Sequence, residues 1–276
     1  MLAKSLLNAP GTRALLKRVQ ANAFAKRLVD RTADVVLGNV RNYRLILQSA
    51  ANSPDESALD ALFSTLPSPR PVADIRSDAP VMLVIDDLGS GGAQRQLALT
   101  ARLLRDSGIK GVCVVCRSAS VESADRGGFV RSELDQSGIA VVKSNGGRAG
   151  PQAAMLEQLL GHAMGYDVAR LQKLFEYTKP AVVHAFLDWP NITAGLAGVL
   201  AGVPRIVLSG RNQAPHRLGL THPALSPLYR KLSRCQAIRL TNNSAAGARD
   251  YCEWLGLPED TIEVIPNGFE PRSIDE

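Results

Sequence analysis

From residue 80 onward the chain alternates short apolar runs with longer stretches in which apolar residues recur every three or four positions. The runs at 80–86, 110–117, 139–143, 181–187, 205–209, 236–240 and 262–265 read as buried strands. The periodic stretches between them predict helices at 95–108, around 128–136, within 151–177, at 192–200, near 222–233 and at 245–255. Strands alternating with helices imply an α/β fold, a doubly wound parallel sheet of Rossmann-like type covered on both faces. Upstream, 35–51 and 57–66 predict a helical hairpin with its turn and cap at 52–55. Four prolines, Pro67, Pro69, Pro71 and Pro80, then mark a linker over 67–80.

In such a sheet ligands lie beyond the carboxyl ends of the strands, and that is where the polar residues collect. The first strand ends in Asp86 and Asp87 and runs into Gly89-Ser90-Gly91-Gly92-Ala93-Gln94. A glycine turn before a helix admits a ligand to the backbone, and the unpaired N–H groups of the first helical turn suit a phosphate. Gln94 stands where the dinucleotide fingerprint wants glycine or alanine, and no P-loop lysine follows. A nicotinamide-dependent oxidoreductase is therefore disfavoured, and a turn that contacts nothing is the plain alternative. His184, Asp188 and Trp189 follow the fourth strand, Ser209, Arg211, Asn212 and Gln213 the fifth, Asn242 to Ser244 the sixth, and Asn267-Gly268 the last. A histidine and a carboxylate beside an aromatic face suit a carbohydrate, and Arg211 suits a phosphate or carboxylate. Ser244 reads as the N-cap of the helix that follows it.

Gly91-Gly-Ala-Gln-Arg-Gln96 resembles the GG-A-E-R start of the retaining GT-B glycosyltransferases of the large fourth family. Lys179-Pro-Ala-Val-Val-His-Ala185 resembles their P-D-V-V-H strand, and Thr261-Ile-Glu-Val-Ile-Pro-Asn-Gly268 resembles their I-x-V-I-P-N-G end. The three matches follow the family's order and span about residues 80–270. The resemblance implies that 81–266 is the N-terminal, acceptor-side domain of such an enzyme, with 267–276 the stub of a hinge to a donor-binding domain absent from this chain. It implies transfer of a hexose from a nucleotide diphosphate sugar to a glycan or lipid-linked acceptor in surface-polysaccharide assembly, without metal or cofactor. Activity would then wait on a donor-binding half, supplied in a longer or split enzyme by a separate donor-domain chain. Carried over residue by residue, His184 and Asp188 take the catalytic positions. Gly91, Gly92, Asn267 and Gly268 take the donor phosphate and sugar, and Ser90, Gln94, Trp189, Arg211 and Asn212 the acceptor. The family often places its histidine second in an H-x-H pair, and Phe186 occupies that second position here. A non-catalytic docking subunit of a split glycosyltransferase is the alternative reading.

At 276 residues with 45% hydrophobic residues and a mean hydropathy of −0.02, the chain can build a sizeable core. Its net charge of +6 is carried by Lys4, Arg13, Lys17, Arg18, Lys26 and Arg27, leaving the remainder formally neutral. A neutral main body argues against nucleic acid as a partner. Residues 1–31 read either as a basic amphipathic helix on a membrane surface or as a solvated helix, within a basic helical extension spanning 1–66. No apolar run reaches the roughly 18 residues of a membrane span, and the four cysteines suit a reducing cytosol, giving a cytoplasmic protein peripheral at the inner membrane face. Cys113 and Cys116 lie three apart in a strand and so face opposite ways. His162, His184, His216 and His222 show no metal-ligand spacing, and Leu208-Ser-Gly210 lacks the frame of a nucleophile elbow.

Overall fold

The computed structural model describes residues 54–117, 124–144, 152–218 and 222–269. The first helix of the predicted hairpin, 35–51, the basic segment 1–31 and the glycine-rich stretch 145–150 lie outside the described residues.

Seven strands form one parallel sheet: β1 (Val81–Ile85), β2 (Val112–Cys116), β3 (Ala140–Lys143), β4 (Val182–Phe186), β5 (Arg205–Gly210), β6 (Ile238–Asn242) and β7 (Ile262–Val264). Their order is β3-β2-β1-β4-β5-β6-β7, so the strand order reverses between β1 and β4. The fold is the α/β Rossmann-like architecture expected. β1 is buried at all five positions because helices cover both of its faces, which is why it reads as an unbroken Val-Met-Leu-Val-Ile run. On one face Leu83, Ile85, Val114, Cys116 and Phe186 pack with Leu97, Ala98 and Ala101 of helix α2 (Gly92–Asp106), with Val130 and Leu134 of α3 (Ala124–Gln136) closing that core. α1 (Glu56–Ser64) precedes the sheet, capped by Asp55 and burying Leu59 and Leu62.

Between β3 and β4 the chain makes α4 (Ala153–Leu160) and α5 (His162–Thr178), broken at Gly161, whose φ of 81° suits a residue without a side chain. The two helices touch at Gly165, where an added Cβ would lie 2.4 Å from the Leu156 carbonyl oxygen. α6 (Asp188–Leu200) follows β4, α7 (Leu225–Leu232) follows β5, and α8 (Ala245–Leu255) follows β6. The α6 helix starts at Asp188, four residues before the predicted 192. An acidic residue at the first helical position and a proline at the third both suit a first turn, where N–H groups lack partners.

The proline-rich stretch is fastened to the domain. Arg70 donates its backbone N–H to Gly202 O at 3.0 Å, and its guanidinium reaches Pro180 O at 2.6 Å. A cavity of about 690 Å³ lies between residues 68–72 and the β4–β6 strands.

Candidate functional site

The carboxyl edge of the sheet at the β1/β4 reversal gathers most of the residues singled out by the sequence. After β1, the Asp87 carboxylate accepts from Gly89 N–H at 2.8 Å and from the Gln94 side chain at 3.1 Å, closing the turn. Gly91 is the N-cap of α2 and, unlike the caps of α1 and α8, supplies no side-chain bond to the first turn. A Cβ on Gly91 would meet the Gln94 Oε1 at 2.2 Å, so this glycine makes room for Gln94, whose amide is thereby engaged inside the turn. A Cβ on Gly92 would meet nothing within 4 Å. Gly92 and Ser90 are exposed at this helix start, which no side chain caps and which carries the positive end of the helix dipole.

Within β4, two residues before its carboxyl end, the His184 ring stacks on Phe186 with centroids 4.3 Å apart. Its Nε2 is 2.8 Å from Ser209 Oγ, which is 2.7 Å from Thr241 Oγ1. Parallel register builds this row, since Phe186 pairs with Ser209 and Ser209 with Thr241 across β4, β5 and β6. Burial and the nearby Arg211 guanidinium hold the His184 pKa down to about 3, so the imidazole is neutral at working pH. Arg211 lies over the Phe186 ring at 4.7 Å and donates from Nη1 to Asn267 Oδ1 at 3.0 Å. Its Nε is buried without a partner among the described residues. Burial also lowers the Arg211 pKa from its usual value, although the guanidinium keeps its charge. Gly268 is clamped to α2: its N–H donates to Gln96 Oε1 at 2.9 Å, and Gln96 Nε2 donates to Gly268 O at 2.8 Å. The segment leaving β7 is thus tied both to Arg211 and to the helix of the glycine turn. Asn212 is exposed beside it and gives only its backbone carbonyl to the buried Asn242 amide.

Asp188 and Trp189, expected to offer a carboxylate and an open aromatic face from a loop, sit instead on the first turn of α6 and are used internally. Asp188 Oδ1 accepts from Tyr229 at 2.9 Å and from Tyr251 at 2.6 Å. Burial pushes the Asp188 carboxyl above its ordinary range despite both bonds. Trp189 is 8% exposed, donates from Nε1 to Asp167 at 2.9 Å and lies under the Arg117 guanidinium. Arg117 in turn bonds Asp86 at 2.7 Å and approaches Asp167 at 3.7 Å. Leu187, between β4 and α6, holds φ 75° and ψ 163°, a region that is almost exclusively glycine's.

Sequence reasoning placed Ser209 at its strand end without giving it a role, and missed Thr241, Gln96, Arg117, Asp167 and the two tyrosines. Ser209 carried a signal, being a hydroxyl that ends an apolar strand; the others are brought in by register and helix packing. Among the described residues no three His, Cys, Asp or Glu side chains converge as a metal site. No helix among them is long and apolar enough to cross a membrane.

The chain is 27% identical over 212 residues to the Vi polysaccharide biosynthesis protein VipC/TviE of Salmonella typhi, covering 69% of this chain and 36% of that protein. It thus spans about a third of the length of that curated relative. Among solved structures, a glycosyltransferase from Rickettsia africae is 16% identical with a TM-score of 0.46, covering 70% of this chain and 44% of the other. The UDP-GlcNAc 2-epimerase from Neisseria meningitidis, bound to UDP-GlcNAc, is 16% identical with a TM-score of 0.44, covering 68% and 47%. The sequence model of Glycosyltransferase Family 4 matches residues 90–273, well over half of the chain and every part of the edge just described except β1 and the turn residues before Ser90, and the chain belongs to that family.

Proposed function

We propose that residues 81–266 act as the acceptor-side half of a retaining GT-B enzyme that moves a hexose from a nucleotide diphosphate sugar to a glycan or lipid-linked acceptor. The observation that carries this reading is the pairing, across the β1/β4 reversal, of an uncapped helix start at open Gly92 with neutral His184 and charged Arg211. Helix N–H groups and a guanidinium suit a diphosphate or a developing negative charge. A neutral imidazole beside them suits a sugar hydroxyl. The likeness to a Salmonella protein named for Vi polysaccharide biosynthesis supports a surface polysaccharide as the product class.

Within this reading the roles differ from those first carried over. Asp188, with both tyrosine hydroxyls on one oxygen, serves as a positioning residue that fixes the start of α6. Trp189 and Gln94 hold the walls of the cleft, while Ser90, Gly92, His184, Arg211 and Asn212 face the reactants. A donor-binding α/β domain, in the same polypeptide or another, supplies the nucleotide site opposite Asn267 and Gly268. The basic segment 1–31 is proposed to rest on anionic lipid at the cytoplasmic face, and co-sedimentation with anionic vesicles tests that association.

Calorimetric titration with a panel of nucleotide diphosphate sugars, alone and with the donor-binding domain, tests the main proposal. Weak or absent donor binding by this chain, with binding and transfer appearing when the donor domain is added, is the expected result. Tight donor binding by the chain alone would overturn the acceptor-side assignment. Absence of sugar transfer by the assembled protein would remove the catalytic reading.

A further inference from the structure

Three groups stand in a row behind the cleft, His184, Ser209 and Thr241, and the hydrogens they share have a definite direction. Each hydroxyl carries one hydrogen and can also accept, whereas a neutral imidazole carries one N–H and one bare nitrogen. Ser209 and Thr241 are 2% and 5% exposed, so neither hydroxyl is free to turn to water. Thr241 Oγ1 has Ser209 Oγ as its only partner among the described residues.

If His184 donated from Nε2, Ser209 would accept and pass its own hydrogen to Thr241, leaving the Thr241 O–H buried with no acceptor. In the opposite direction Thr241 donates to Ser209, Ser209 donates to Nε2, and every hydrogen in the row is used. What remains unsatisfied is only a spare lone pair on Thr241, a smaller loss than a buried unpaired donor. Among the described residues the His184 Nδ1 has no partner, and it is not among the sealed polar atoms, so it is the nitrogen left to the cleft.

We infer that Ser209, held in place by Thr241, fixes His184 as the tautomer with its proton on Nδ1, so that the ring presents a hydrogen-bond donor to the cleft. His184 then offers no lone pair there and does not act as a base toward a substrate hydroxyl. It recognises an oxygen. Ser209 and Thr241 are positioning residues for that donor. The ring's lowered pKa agrees, because the neutral form is the one present across the working range. The tautomer stands on the hydroxyl row alone; its use against a sugar oxygen rests on the function proposed above.

The tautomer is read by long-range proton–nitrogen correlation on the full chain labelled with nitrogen-15 in histidine. With four histidines in the sequence, the His184 signals are identified by their loss in His184→Gln. The expected spectrum has a protonated Nδ1 and a bare Nε2, unchanged between about pH 5 and pH 8. Ser209→Ala, a small truncation that the fold should tolerate, is expected to give a mixture in which the Nε2-protonated form appears. Thr241→Ser should keep the wild-type pattern. A wild-type ring protonated on Nε2 would overturn the inference, as would a Ser209→Ala spectrum identical to wild type. Because the measurement needs no substrate, a failed sugar-transfer assay would leave it intact, and its own failure would leave the transfer reading intact.

Discussion

Replacing Tyr251 with phenylalanine isolates one hydrogen bond, the 2.6 Å contact from the phenol to the buried Asp188 carboxylate. The ring keeps its edge-on neighbours, Tyr229 at 6.0 Å and Trp254 at 5.7 Å, so packing changes little. A hydrogen bond to a charged group contributes about 1.5–3 kcal/mol, so a loss of about 2 kcal/mol is expected at pH values above the raised Asp188 pKa, where the carboxylate is ionised. For a domain of this size that lowers the melting temperature by about 4–8 °C. With Asp188→Asn in the background the bond becomes a neutral one worth about 0.5–1.5 kcal/mol, and the same tyrosine change should cost about 1 kcal/mol.

The pH dependence follows from the direction of the Asp188 shift. Burial raises its folded-state pKa, so the folded form holds the proton more tightly and stability falls as pH rises from about 4 through that raised value. Tyr251 is one of the bonds that lower it, and removing the hydroxyl widens the window; the deficit should therefore shrink as pH falls toward about 4. Urea unfolding of the four chains of this double-mutant cycle, at pH 7 and near pH 4, measures all of these. A Tyr251→Phe cost under about 0.5 kcal/mol, or an equal cost in both backgrounds, would refute the assignment of Asp188 as an internally paired carboxylate.

Leu187→Gly should be more stable than Leu187→Ala by about 1 kcal/mol or more, reversing the usual order, because only glycine relaxes at φ 75°; equilibrium unfolding of the pair decides it. Gly165→Ala should cost about 1–3 kcal/mol or more in the same assay, since the Leu156 backbone at 2.4 Å cannot yield without parting α4 from α5. Gln96→Ala should speed hydrogen exchange at Gly268 while moving global stability by no more than about 0.5 kcal/mol, because the clamp it removes is exposed.

The sheet was legible because strands buried on both faces cannot hide their composition: Val-Met-Leu-Val-Ile and Val-Cys-Val-Val-Cys admit little else between turn residues. The start of α6 was not, since Asp188-Trp-Pro-Asn191 reads as a turn, yet acid and proline in those places equally begin a helix. Gly91 and Gln94 were each noticed, but spacing alone could not show that the glutamine amide folds onto the glycine. Ser209 and Thr241 lie 32 residues apart and meet only through the β5–β6 register. Arg117 and Asp167 come from different elements and meet only once the fold has formed.

The longest reach in the sheet is the ladder joining β1 to β4, where Val81 pairs with Val182 and Leu83 with His184. Each half-sheet has its own ladders, β1 to β3 on one side and β4 to β7 on the other. The glycine turn belongs to the first half, while His184, Arg211 and Asn267 belong to the second. Closing a loop of that length is the slow, entropically costly event in building such a sheet. The cleft therefore depends on the ladder of longest sequence separation in the sheet, and a chain with that ladder open would hold every residue of the site and no site.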